Sequence, residues 1–506
     1  MSTQIRPRRA RRWILGSIAA ASLAVTAVAG CVVATYVDAP ISTVGTVQFR
    51  NPLAIPPEDT GRVDADGVRV FDLGMYSGRT EFTPGTRTET WGFNGTYLGP
   101  TLRARRGEQV RVEVRNELPE TSSVHWHGMH LPAAMDGGPH QPIAAGARWT
   151  PHWTVDQPAA TLWYHPHPHG ATESHVRRGL AGLFVLDDED TDALALPHDY
   201  GVDDLPVVVQ DVTFRGDRLD DSHRIFRTTG FLGEQILVNG TLAPFREVGD
   251  ELVRLRLLNA STARLYDFGF ADDRGFDLIG TDSGLLHRPV RVTRVPLSPG
   301  ERAEIVVRVR PGERAVLRST APRAGLDFWN ARFSGGDDSF DILELRAAAT
   351  LRPAPALPDV LARPSTPEGT NPARQRDFDL ATDGINGQPM DMGRIDFTVT
   401  RGTEEIWTVR NVDGAPHNFH VHDVRFRVLS VNGAAPPPTL SGPKDTVYVA
   451  PGTAVRLALR FDGPADPAAP YMYHCHLLWH EDRAMMGQFV VVEPGQNAET
   501  LAPHGH

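Results

Sequence analysis

The sequence predicts an all-β protein made of three related β-sandwich domains. Short apolar runs such as 110–114, 253–257 and 406–409 are flanked by Gly, Pro and Asn residues, as expected for strands that end in turns. No long stretch has the periodicity of an amphipathic helix. A chain of 506 residues is also long enough for about three domains of ordinary size.

A threefold internal repeat supports this interpretation. Each copy has an Asn-Gly dipeptide followed by a glycine and then an asparagine. The copies are Asn94-Gly95, Gly107 and Asn116; Asn239-Gly240, Gly249 and Asn259; and Asn386-Gly387, Gly402 and Asn411. The final asparagines are 143 and 152 residues apart, which is the length of a whole sandwich domain rather than a solenoid unit.

The predicted domains span residues 60–190, 200–348 and 377–495. Residues 349–376 contain six prolines and are predicted to form a stiff, extended connector between the second and third domains. We expect a monomer.

Residues 1–37 are predicted to be an export signal or membrane anchor. Arginines precede 25 residues without a charge, Trp13 to Val37. Arg11 to Leu15 resemble a twin-arginine export signal, and Val28 to Cys31 resemble a lipoprotein processing site. The apolar run continues past Cys31, so an uncleaved anchor is the alternative. The domains are therefore expected outside the cytoplasm, tethered to the membrane or secreted.

The charge and the cysteine count exclude other classes of protein. A formal net charge of −11 argues against a nucleic-acid partner, because phosphate backbones are bound by clustered Lys and Arg. The two cysteines, Cys31 and Cys475, cannot provide an ordinary disulfide framework for an exported chain of this size. Cys475 is then a lone thiol, and its neighbours decide whether it packs or binds a metal.

Twelve of the twenty histidines form four clusters. These are His125, His127 and His130; His165, His167 and His169; His417, His420 and His422; and His474, His476 and His480. Residues i and i+2 share one face of a strand, so each His-x-His pair presents two imidazoles side by side. Four pairs exceed what one tetrahedral metal uses and are enough for a cluster of three.

The repeat relates these pairs to one another. Positions 9 and 11 residues after the repeat asparagine hold His125 and His127 in the first copy, Phe268 and Phe270 in the second, and His420 and His422 in the third. The middle domain is therefore predicted to bind no metal there and to act as a spacer. The pairs at 165–167 and 474–476 are also equivalent, which predicts a cluster between the first and third domains.

A second metal site is predicted around Cys475. Strand alternation points its side chain away from the cluster histidines on either side of it, and His417 also points away from its own cluster pair. His480 and Met485 lie five and ten residues beyond the cysteine. Two histidines, a cysteine and an axial thioether are the ligands of blue-copper electron-transfer sites.

Residues 60–495 resemble a multicopper oxidase of the bacterial three-domain kind, the group that contains laccases and cuprous oxidases. The motifs HWHGMH, HPHPHG, HNFHVH and HCHLLWHEDRAMM stand in order. The resemblance implies three cupredoxin-like Greek-key domains and four copper ions. It implies type 1 copper at His417, Cys475, His480 and Met485; type 2 copper at His125 and His420; and a type 3 pair at His127, His165, His167, His422, His474 and His476.

The resemblance also implies an activity, in which a reducing substrate is oxidised and O2 is reduced to water. Asp136 and Glu481 resemble acidic positions that the family uses to deliver protons. The alternative is a turn aspartate before Gly137 and an ordinary polar glutamate.

The reducing substrate is left open between a phenol or aromatic amine and Cu(I), with iron(II) as a further candidate. Asp413 could accept a proton from a phenol or help to hold a cation. Ala415, however, occupies a position where a copper-oxidising relative can have methionine, and the nine methionines form no methionine-rich run.

Two other classes of protein are disfavoured. Structural or cell-division relatives have lost copper ligands, whereas this sequence keeps every ligand position. A copper-sequestering protein without turnover would not require a cysteine between two cluster histidines.

Overall fold

The computed structural model describes residues 29–222, 226, 229–364 and 371–499. Most of the predicted signal segment, residues 1–28, and Pro367 of the predicted connector lie outside the described residues. Residues 29–38 are helical and are called α1 here. Within the described ranges, no helix is long and apolar enough to cross a membrane.

Strands dominate the described chain. The first third contains β1 (Asn51–Pro52), β2 (Glu58–Asp59), β3 (Arg62–Val63), β4 (Arg69–Thr83), β5 (Thr86–Phe93), β6 (Thr101–Arg105), β7 (Gln109–Asn116), β8 (His125–His127), β9 (Arg148–Trp149), β10 (His152–Thr154), β11 (Ala160–His165) and β12 (Gly182–Asp187). The middle third contains β13 (Asp204–Val212), β14 (Phe214–Arg215), β15 (Arg218–Leu219), β16 (Gln235–Val238), β17 (Thr241–Leu242), β18 (Pro244–Asp250), β19 (Leu252–Asn259), β20 (Tyr266–Phe270), β21 (Phe276–Thr281), β22 (Gly284–Val292), β23 (Arg294–Leu297), β24 (Arg302–Arg308), β25 (Arg314–Thr320) and β26 (Phe340–Arg352).

The last third contains β27 (Arg374–Ala381), β28 (Gly384–Ile385), β29 (Phe397–Thr400), β30 (Glu404–Asn411), β31 (His417–Val421), β32 (Phe426–Val431), β33 (Thr446–Val449), β34 (Ala454–Arg460), β35 (Tyr471–His474) and β36 (Met486–Val492). Short helices connect some of the strands. They are α2 (Thr172–Arg177), α3 (Glu189–Asp192), α4 (Phe328–Phe333) and α5 (Leu478–Glu481), with 3-10 turns at Ala133–Met135 and Pro438–Leu440.

Each third of the chain builds two main sheets, and β14 and β15 of the middle third form a separate two-stranded sheet. The first third gives β10-β7-β4-β3, with β5 beside β4 and β9 beside β7, and β2-β6-β12-β11-β8. The middle third gives β17-β16-β13-β19-β24-β21-β22 and β18-β26-β25-β20-β23, and the last third gives β28-β27-β30-β34-β32 and β29-β36-β35-β31-β33. Each pair of sheets encloses its own apolar core. The predicted all-β class with three sandwiches is confirmed.

The repeat asparagines have the same structural role in all three copies. Each ends a strand, and its side-chain amide donates to a carbonyl across the sandwich: Ile143 at 2.7 Å, Leu297 at 3.0 Å and Val449 at 2.9 Å. Each side-chain oxygen accepts from the backbone N–H two residues ahead. The repeat is visible in the sequence because these buried hydrogen bonds require an amide side chain.

The segment before the first predicted domain joins the middle one. β1 pairs in parallel with β18, and Ser42 forms a bridge with Ser339. The sequence assigned residues 38–59 to no domain, because β1 is too short to show a pattern. At the end of the middle third, β26 ends at Arg352 and β27 begins at Arg374, so both strands include residues of the predicted connector.

Phe268 and Phe270 lie in β20, fully buried in the middle core, at the positions where the other two copies carry histidines. We expect Phe268→Leu to destabilise the fold by about 1–2 kcal/mol through lost packing. Copper content, measured by elemental analysis, should stay unchanged. Specific loss of copper ions in this variant would contradict the repeat argument.

Candidate metal centre

The histidine pairs of the first and last thirds are brought together by equivalent strand pairings. β8 and β11 are antiparallel neighbours, and His125 lies directly opposite His165. β31 and β35 are antiparallel neighbours as well, and His420 lies directly opposite His474. Side chains opposite each other in an antiparallel pair lie on the same face, so each sheet presents four imidazoles towards the other.

One group of three histidines consists of His167, His422 and His474, called trio A. The Nε2 atom of His474 lies 3.2 Å from Nε2 of His167 and 3.2 Å from Nε2 of His422. Their other ring nitrogens face carboxylates. Nδ1 of His422 lies 2.6 Å from Asp136, and Glu481 reaches Nδ1 of His167 and of His474 at 3.3 Å each. Carboxylates in this position orient imidazoles that bind a metal.

The other group consists of His127, His165 and His476, called trio B. Nε2 of His165 lies 3.4 Å from Nδ1 of His127 and 3.4 Å from Nε2 of His476. Nε2 of His127 also lies 3.1 Å from Asp445. Each trio thus combines histidines from the first and last thirds of the chain, which is the arrangement that the sequence predicts for a cluster between them.

His125 and His420 lie between the two trios. Their rings stack on His422 and His127, with centroid distances of 3.9 and 3.8 Å. Within the described chain, the Nε2 atoms of both residues are buried and lack a hydrogen-bond partner. A buried polar atom without a partner is costly, and a bound metal ion would remove that cost.

Burial and neighbouring charges keep seven of these histidines neutral. Burial, and then the neighbouring imidazoles, lower the pKa well below its usual value in His127, His165, His167, His420, His422 and His476. Burial also lowers the pKa of His474 to about 3. Neutral imidazoles have the free lone pair that a metal requires.

The cysteine site lies on the opposite side of β35. Sγ of Cys475 lies 3.7 Å from Nδ1 of His417 and 3.6 Å from Nδ1 of His480, and these two nitrogens are 3.1 Å apart. All three side chains are fully buried. Burial raises the pKa of the Cys475 thiol to about 12, so a bound metal must displace its proton.

Asp413 orients one of these imidazoles. Its Oδ1 atom lies 3.0 Å from Nε2 of His417, and its Oδ2 atom accepts hydrogen bonds from the backbone and hydroxyl of Thr382. The side chain is 29% exposed. Asp413 therefore connects His417 to the protein surface and fixes which ring nitrogen faces the cysteine.

Sequence reasoning missed the middle third's part in the site. The fully buried Arg302 of β24 forms a two-pronged ion pair with Asp445 at 2.8 and 2.6 Å. Burial alone would raise the pKa of Asp445, but this guanidinium holds it below its usual value. Arg302 also donates to the carbonyls of Thr161 and Asp282, so one side chain contacts all three thirds.

The internal repeat does not by itself identify Arg302. Gly300 and Gly452 both follow their repeat asparagine by 41 residues, and both donate a backbone hydrogen bond to that asparagine. Two residues further on, the middle copy has Arg302 where the last copy has Ala454. The first copy also has an arginine, Arg148, two residues after the corresponding glycine, and its side chain is exposed, so a charge at this position does not by itself indicate a buried contact.

Comparison with known proteins identifies the family. Sequence profiles described as multicopper oxidase match residues 75–191 and 358–495. The multicopper oxidase mco of Staphylococcus haemolyticus is 34% identical over 88% of this chain and 93% of its own. The chain belongs to the multicopper oxidase family. Membership of this family implies that the protein uses copper, O2 and a reducing substrate.

The chain is also similar to a protein named for cell division and to a solved laccase-like structure. The cell division protein FtsP of Escherichia coli K12 is 38% identical over 87% of this chain and 93% of its own. The solved structure of the laccase-like multicopper oxidase CueO from Ochrobactrum sp. superposes with a TM-score of 0.79, with 36% identity over 87% of this chain and 100% of its own. The predicted cupredoxin-like fold is thereby confirmed.

Strand register distinguishes Met485, the predicted axial ligand, from its neighbour Met486. Met486 lies opposite His474 in the β35–β36 register, so it belongs to the histidine side of the sheet. Met485 is buried in the same apolar core as Cys475, and its carbonyl accepts from the Cys475 N–H at 3.1 Å.

We therefore expect Met485→Leu to raise the reduction potential of the cysteine site, because the weak axial thioether is removed while the strong ligands remain. The blue absorption should persist. Redox titration measures the effect, and Met486→Leu is the matched control. If the reduction potential shifts in Met486→Leu and stays constant in Met485→Leu, the axial ligand is Met486 instead.

Proposed function

We propose that the chain is a copper-dependent oxidase that passes electrons from a small reducing substrate to O2 and forms water. The position of Cys475 carries this proposal. Its sulfur lies between two imidazoles of one site, and its covalent neighbours, His474 and His476, belong to the two trios of the other site. A covalent path of this kind serves electron transfer and has no use in metal storage.

The proposed ligand sets are type 1 at His417, Cys475, His480 and Met485; type 2 at His125 and His420; and type 3 at His127, His165, His167, His422, His474 and His476. Four bound copper ions would supply four one-electron centres, which matches the four electrons needed to reduce O2 to two water molecules. The unpartnered nitrogens of His125 and His420 and the neutral imidazoles of the trios support this assignment.

Asp136 and Glu481 are proposed to deliver the protons. Both carboxylates are buried, with 1% exposure each, and both contact trio A. Gly137 lets Asp136 turn towards the cluster: its φ is +79°, and a Cβ there would lie 1.7 Å from a backbone oxygen. This geometry supports a role of the turn in holding the Asp136 carboxylate at the cluster.

The reducing substrate is proposed to be a phenol, an aromatic amine or Cu(I), oxidised near Asp413. This carboxylate is partly exposed and contacts His417, so it can accept a proton from a phenol or contribute to binding a cation.

The domain division 60–190, 200–348 and 377–495, with the connector at 349–376, is also proposed. Residues 1–37 are proposed to export the chain and to anchor it to the cell membrane, as a lipoprotein or by an uncleaved helix. The protein is proposed to act outside the cytoplasm as a monomer. The sequence pattern of residues 1–37 supports the export.

A second candidate is a structural role in cell division, which the name of the FtsP relative favours. A copper-sequestering protein without turnover is a further alternative. The complete set of twelve buried ligand positions argues for the oxidase, because neither alternative requires all of them.

The experiment that separates these functions is an oxygen-consumption assay on the copper-loaded protein. A phenol, an aromatic diamine and Cu(I) are compared side by side at equal enzyme concentration. Blue colour and O2 uptake with at least one donor are expected, and the ratio of the rates identifies the substrate class. A fully copper-loaded sample that consumes no O2 with any donor would favour the alternatives.

A further inference from the structure

Five aromatic side chains form a partly exposed cluster on the surface, called the aromatic patch. They are Tyr36, Phe226, Phe328, Trp329 and Phe333. Ring centroids in the patch are 6.0 Å apart for Tyr36 and Trp329, 4.8 Å for Trp329 and Phe333, and 5.4 Å for Phe226 and Phe333. Phe328 is 74% exposed, so the patch presents aromatic surface to whatever lies outside the protein.

The patch borders the proposed type 1 site. Asp327 caps α4 and accepts hydrogen bonds from the backbone of Trp329 and Asn330. A Cβ on Gly414 would lie 3.2 Å from Nδ2 of Asn330, so α4 lies against the loop that connects Asp413 to His417. Whatever contacts the patch therefore also lies beside this loop.

Exposed apolar side chains concentrate around the patch. Among the described residues, eight large apolar side chains are exposed, and five of them lie on α1, in the patch or on the loop before His417. These five are Val33, Val37, Phe226, Phe328 and Val412. Val33, Tyr36 and Val37 have helical spacing and share one side of α1. Contiguous exposed apolar surface of this kind marks a contact site.

The sequence before the patch identifies the occupant as a lipid bilayer. The uncharged run from Trp13 to Val37 ends within the patch region. If Cys31 carries a lipid, it lies five residues from Tyr36, which is about 7.5 Å along a helix. If the run is an uncleaved anchor, the distance from the membrane-embedded segment to Tyr36 is no greater. Both forms of anchoring bring the membrane surface to the patch. Trp and Tyr side chains are favoured at the interface between membrane and water.

We infer that the aromatic patch docks on the membrane surface and holds the Asp413–His417 loop at the lipid interface. Reducing substrates then reach His417 from the interface rather than from bulk solution. This inference rests on the membrane anchoring stated under the proposed function, and it adds the orientation of the anchored protein.

Quenching of tryptophan fluorescence tests the orientation. The full-length chain is reconstituted into vesicles of phosphatidylcholine and phosphatidylglycerol whose acyl chains carry bromine. Trp329→Phe is expected to lose a lipid-quenched component of the emission that the unaltered chain shows. Trp149→Phe is the matched control, because Trp149 is also partly exposed but lies in β9 of the first third, and it should retain that component.

A second pair of variants probes the same surface without removing a tryptophan. Phe328→Glu should increase quenching of the vesicle-bound protein by aqueous acrylamide, because a buried carboxylate would lift the patch from the bilayer. Val360→Glu changes an apolar side chain that is 48% exposed outside the patch and should have no effect.

The outcomes distinguish failure of the docking inference from failure of the proposed function. Equal lipid quenching in Trp329→Phe and the unaltered chain overturns the docking. Shielding of Trp329 from acrylamide in detergent without lipid, together with dimerisation, assigns the patch to a second copy and also overturns it. Failure of the full-length chain to float with vesicles overturns both anchoring and docking. If the unaltered, copper-loaded chain shows the lipid quenching of Trp329 but consumes no O2, only the proposed oxidase activity is overturned.

Discussion

Cys475→Ser is expected to abolish the blue absorption and reduce turnover to background. In the proposed type 1 site at His417, Cys475 and His480, the thiolate is the ligand that would give the blue absorption, and a serine hydroxyl does not replace it. The side chains of His474 and His476 point to the other face of the sheet, so the trios keep their ligands. We expect the fold and about three of the four copper ions to be retained.

Visible absorption, copper analysis and O2 uptake measure these effects in one sample. The Phe268→Leu variant is a suitable control, since its buried substitution lies in the middle core and should leave all three readings unchanged. Intense thiolate absorption that survives in Cys475→Ser would refute the ligand assignment.

Arg302→Met is expected to have the largest effect on stability. It leaves Asp445 as a buried carboxylate without its guanidinium, and breaking a buried ion pair in this way costs about 3–5 kcal/mol. The same change removes the contacts of Arg302 with Thr161 and Asp282, which hold the three domains together. Asp445 also contacts His127, so copper bound to trio B should be retained less well.

Denaturant unfolding of the copper-free protein measures the stability, and copper analysis after dialysis measures retention. Arg308→Met is the control at the other end of the same strand. Its ion pair with Glu251 is solvent-exposed, with side-chain exposures of 51% and 34%, and should contribute less than about 1 kcal/mol. Similar unfolding curves for the two variants would show that Arg302 does not connect the domains.

Much of the site was predictable because strand geometry is simple. Side chains alternate along a strand, so the sequence alone assigned Cys475 and its two neighbouring histidines to opposite faces. The repeat then related His125 to His420 without any structural information. In the structure, Cys475 lies between His417 and His480, and its two neighbours belong to the trios on the other side. His125 and His420 have equivalent places in the strand register, opposite His165 and His474.

The contribution of the middle domain was not predictable from the histidine pattern. Arg302 and Asp445 are 143 residues apart and carry opposite charges, as many surface residues do. The two side chains form a buried ion pair only because the three sandwiches pack against one another at this position. The sequence described the middle domain as a spacer, and that description is incomplete, since its guanidinium orients a carboxylate beside His127 and His420.

The strand pairings at the two sites have a consequence for how the protein matures. His417, Cys475 and His480 all come from the last pair of sheets, so that pocket exists as soon as one sandwich has folded. The trios draw on β8 and β11 as well as β31 and β35, and they exist only after the first and last sandwiches have docked. Because metal uptake is coupled to the formation of its pocket, we expect copper to enter the proposed cysteine site before the proposed histidine cluster.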